Sequence, residues 1–68
     1  MSGKEKKKMH KDIKEKCDAM IEDLRGYRDS LDRKKSQINR DLFYKINSAI
    51  KELRRISGTI NTFYSDDE

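Results

Sequence analysis

Few residues in this chain carry side chains that do chemistry on their own account. There is one histidine, His10, and one cysteine, Cys17. Their spacing puts them on roughly one helix face but two turns apart. Asp12 and Asp18 lie nearby without completing any spacing that a metal ion uses. No glycine-rich phosphate loop accompanies them, and no Ser/His/Asp or Cys/His set is present. The carboxylates are scattered as surface charges rather than paired as an acid and a base. A catalytic site also needs a concave, water-poor cleft, which a chain of 68 residues can hardly enclose. The sequence therefore points to a non-enzymatic protein with no catalytic residue, no metal and no cofactor.

The other chemistry in reach is electrostatic. Between Lys4 and Lys16 seven lysines face only Glu5, Asp12 and Glu15, while the rest of the chain is balanced. The whole formal excess of +4 thus sits at the start. Lys4, Lys6, Lys7, Lys8 and Lys11 are the candidates for contact with nucleic acid, an anionic surface or an acidic partner. Against a sequence-reading DNA module, acids interleave with bases along the remainder: Asp29 and Asp32 precede Arg33, and Glu52 precedes Arg54. A solvating tail explains the lysines as well as a ligand does.

These groups must be held by helices. With 44% charged residues, no Pro and no Trp, the composition is closer to a coiled coil than to an ordinary globule. Val is absent too, which leaves little to start a sheet. The fold class is all-α. In the second half, Ile38, Leu42, Ile46, Ile50, Leu53, Ile56, Ile60 and Phe63 recur at steps of three and four, one continuous stripe along a helix. The first half has Met9, Ile13, Cys17, Met20, Leu24, Tyr27 and Leu31 at the same steps, with Ile21 on its flank. The stripe keeps its phase through Gly26, so that glycine reads as an internal weak point rather than a stop. Cys17, on the stripe, reads as a small buried hydrophobe.

Asp32 to Gln37 is polar and divides the chain into arms of similar length. A two-helix antiparallel hairpin turning near residues 33–36, with Ser36 capping the second helix, lays the two stripes face to face. The alternative is one long helix in a coiled-coil oligomer, because the gap holds neither Gly nor Pro. Residues 1–8 read as a basic disordered tail, 9–64 as the hairpin and 65–68 as an acidic disordered tail. The start is basic but lacks an apolar segment of signal-peptide type, and no apolar run approaches the roughly 20 residues needed to span a membrane. The chain reads as soluble and cytoplasmic.

A pair of short helices shields only part of two such stripes, and contact with another surface is the natural remedy. The expected function is therefore protein–protein interaction, with another helical protein, a second copy in a homo-oligomer, or both. Its job would be that of an assembly co-chaperone, an inhibitor or a subunit of a complex. Phe43, Tyr44, Ile46, Ile50, Leu53, Ile60, Phe63 and Tyr64 are the expected contact residues, since aromatic and long aliphatic groups form interface cores. The runner-up is a nucleic-acid accessory protein using its Lys-rich start.

Overall fold

The computed structural model describes residues 3–64, which form two helices, α1 (Gly3–Ser30) and α2 (Gln37–Tyr64). They pack side by side as an antiparallel hairpin. Three side-chain hydrogen bonds fix its direction and register: His10 with Tyr64, Asp18 with Ser57, and Arg28 with Asn47. Each step along α1 is matched by a nearly equal step back along α2. The alternative of one continuous helix is thereby set aside.

The turn works without Gly or Pro because Asp32 supplies acceptors to several donors. Its carboxylate accepts from the Lys34 N–H at 2.9 Å, an Asx-turn. Its carbonyl accepts from the Lys35 N–H at 3.1 Å and from the Asn39 side-chain amide at 3.1 Å. No described residue has a positive φ, so the turn needs no left-handed position. Ser36 then caps α2: its hydroxyl accepts from the Asn39 N–H at 3.2 Å, and its carbonyl accepts the first helical bond, from Arg40, at 3.3 Å.

α1 begins at Gly3, so residues 3–8, expected to be a disordered tail, continue the helix. Lysine is a good helix former, and nothing in Lys4–Lys8 breaks the turn. Residues 1–2 and the acidic stretch 65–68 lie outside the described residues. Gly26 does not interrupt α1, nor does Gly58 interrupt α2.

The core is a thin seam. Cys17, Ile21 and Ile50 are the buried apolar side chains among the described residues, Ile50 at 1% exposure. Ser57 is buried beside them. Leu24, Leu31, Phe43, Ile46, Leu53 and Ile60 are half-buried along the same line. The result is a rod of 51 × 17 × 17 Å. Its radius of gyration is 15.7 Å, against about 11 Å for a compact chain of this length.

A β-carbon added at Gly26 or Gly58 would meet nothing within 4 Å. Gly26→Ala and Gly58→Ala are each expected to raise stability by about 0.5–1 kcal/mol, through lower unfolded-state entropy and better helix propensity. Ile50→Ala is expected to lower it by about 2–5 kcal/mol. Urea unfolding followed by circular dichroism at one fixed chain concentration checks all three. An Ile50→Ala variant as stable as the native chain would contradict the seam.

Candidate functional site

Both helices follow a seven-residue repeat, and burial sorts cleanly by position within it. Lettering the heptads a to g from His10 onward, His10, Cys17 and Leu24 occupy a in α1, with Lys14, Ile21 and Arg28 at e, and Leu31 continues the a column just past its end. In α2, Asn39, Ile46, Leu53 and Ile60 occupy a, with Phe43, Ile50, Ser57 and Tyr64 at e. Every one of these is buried or half-buried. The d positions are Ile13, Met20 and Tyr27 in α1 and Leu42, Ala49, Ile56 and Phe63 in α2. Every one of those is exposed, Tyr27 at 68% and Phe63 at 70%.

Elementary helix geometry gives this sorting its meaning. At about 100° per residue, the seam through a and e has d on one flank and b on the other. The helices run in opposite directions and face each other, so both d columns turn to the same side of the hairpin. That side is one continuous apolar face, floored by the half-buried a residues. Soluble monomers rarely expose so connected an apolar surface without a use for it.

The opposite flank is closed by polar contacts. The Ser57 hydroxyl donates to Asp18 Oδ1 and the Lys14 ammonium to Oδ2, both at 2.9 Å. Arg28 Nη1 donates to Asn47 Oδ1 at 2.9 Å. Asp18 and Asn47 are b residues, so these bonds clamp the side away from the apolar face. The Lys14 hydrogen bond, helped by that from Ser57 and by the Lys14 charge, holds the Asp18 carboxyl below the usual carboxylate range, against a smaller opposing effect of burial.

The eight expected contact residues do not share one surface. Phe63 lies on the open face, with Ile46, Leu53 and Ile60 along its floor. Phe43 and Tyr64 sit in the seam, where Arg33 stacks on the Phe43 ring at 4.5 Å and His10 meets the Tyr64 hydroxyl. Ile50 is a correction: sealed between the helices, it has no surface left for a partner. Tyr44 is exposed at 54%, on the side turned away from the d columns. The open face also carries Ile13, Met20, Tyr27, Leu42 and Ile56, exposed residues outside the expected set. Their seven-residue spacing was the signal.

Among the lysines, Lys6, Lys7, Lys8 and Lys11 are exposed; Lys7, Lys8 and Lys11 share one face of α1, on the side away from its d column, while Lys6 points elsewhere. The Lys7 ammonium lies 5.7 Å from the Tyr64 ring centre. Lys4 lies in α1, with its side chain outside the described set. Cys17 is a buried free thiol. Among the described residues no group of three His, Cys, Asp or Glu side chains could hold a metal ion. No helix there is long and apolar enough to cross a membrane. No family model matches this sequence, and no curated protein or solved structure does so either.

Because the folded chain holds Asp18 ionised more firmly than the unfolded chain does, the contact adds stability above the ordinary carboxylate range. That stability is lost as pH falls through the lowered pKa. The native chain is expected to exceed Asp18→Asn in stability at neutral pH, with the gap narrowing as pH falls below the ordinary carboxylate range and the carboxyl protonates. Asp18 is half-exposed, so the gap is small. Parallel urea titrations from pH 7 to pH 3 check this; a gap that stays constant would remove Asp18 from the clamp.

Proposed function

We propose that this protein is a non-enzymatic helical interaction module whose open d face receives helices of another protein or of a second copy. The observation that carries the reading is that, from His10 to Tyr64, every d residue of the two helices is exposed on one side while every a and e residue turns inward. A stripe three heptad positions wide suits a helix with two neighbours, and the hairpin provides one. The missing neighbour is what the module binds. A job as assembly co-chaperone, inhibitor or subunit of a complex follows from covering apolar surface on a partner. The lone thiol of Cys17 suits a reducing, intracellular compartment. Nucleic acid is the less supported partner, since the lysine face is confined to the start of α1 and acids interleave with bases along the rest of the chain.

The experiment is site-specific photo-crosslinking in the cell. A benzophenone amino acid replaces Tyr27 on the open face or Tyr44 on the far side. The expected result is strong, defined crosslinks from position 27 and few from position 44. Equal or absent crosslinking at both positions would contradict the reading.

A further inference from the structure

The geometry points to a second copy of this chain as the occupant of the open face. The two copies dock about a two-fold axis crossing the face at Met20 and Ile56, so that α1 meets α1 and α2 meets α2, each antiparallel. This rests on the open-face reading above and names its occupant.

The register supplies the first argument. Carrying the Asp18–Ser57 and Arg28–Asn47 pairs along the rod sets Met20 level with Arg55, so that Ile56 lies about one 1.5 Å helical rise away from that level. The central d residue of α1 and a d residue of α2 therefore share one height to within that rise. Rotation about that line brings Ile13 against Tyr27 of the other copy and Ala49 against Phe63 of the other copy. In both pairs an aliphatic side chain meets an aromatic ring, and the surface matches itself, as a two-fold interface requires.

Charge supplies the second. Lys16 and Asp23 occupy the g positions that flank the d column of α1, one on each side of Met20. Neither makes an ion pair within its own chain among the described residues. The two-fold axis sets Lys16 of each copy beside Asp23 of the other, twice per dimer. Docking α1 onto α2 of the second copy would instead set Asp23 level with Glu52, like charge against like. The area is also sufficient. The chain exposes 5747 Å², against about 4,500 Å² for a compact globule of its mass, and one side of a stable interface buries roughly 800 Å².

The test uses the full chain in a Cys17→Ala background. Met20→Cys, and separately Ile56→Cys, are expected to form disulfide-linked dimers on mild oxidation, whereas Tyr44→Cys is not. By light scattering the native chain is expected to be dimeric. Lys16→Glu or Asp23→Lys alone should weaken self-association about tenfold, because two attractions become repulsions. Mixing the two variants should restore it, since opposite charges again meet in the mixed dimer. A dimer that links only when Met20→Cys and Ile56→Cys are combined in one chain would overturn this axis. A chain that stays monomeric while position 27 still crosslinks to a different protein would overturn the second copy and leave the open-face reading standing. Monomers without crosslinks would end both.

Discussion

Everything in this structure depends on an a column that the hairpin covers on one flank only. Leu24, Leu31, Ile46, Leu53 and Ile60 turn one flank to the other helix of the hairpin and leave the other flank open. The side chains fully sealed within the chain are few, and Ile50 is the deepest of them. Apolar burial is the main favourable term in folding and scales with area removed from water. A half-covered a column therefore leaves much of the available stabilisation unused until a further surface arrives. In a molecule this thin, folding and binding draw on the same side chains.

Polar groups decide which side stays open. Asp18, Ser57, Lys14, Arg28 and Asn47 close the b flank with directional bonds, and such contacts set register more than they add stability. Asp32 and Ser36 set the other end by making a compact turn that needs no positive φ. A hairpin fixed at the turn and clamped along one flank holds both d columns in a single plane. Without that register, the levels of Met20 and Ile56 would not coincide.

The fold was legible because spacing in steps of three and four is the strongest signal a sequence carries. The turn was legible through Ser36, whereas Asp32 was not, because its role depends on where its carbonyl and carboxylate end up. The contact surface was only half legible. Apolar size selected Ile50 and Tyr44, yet Ile50 faces inward and Tyr44 faces away. Which flank of a broad stripe is used by the chain itself depends on how the two helices rotate against each other. Periodicity alone does not specify that rotation; Ser57, a polar residue at a seam position of α2, and Asn47, on the b flank beside it, do. The helical run of lysines before Met9 was obscured by its lack of an apolar stripe, although its helix propensity was in plain view.

The most direct measurement is the cooperativity of thermal unfolding in the monomeric state, reached by dilution and verified by light scattering on the same samples. The account predicts that the isolated chain loses helix gradually and without a sharp transition, and that a cooperative transition returns only when the d face is covered. A monomer that keeps its full helicity and melts in one sharp step would contradict it.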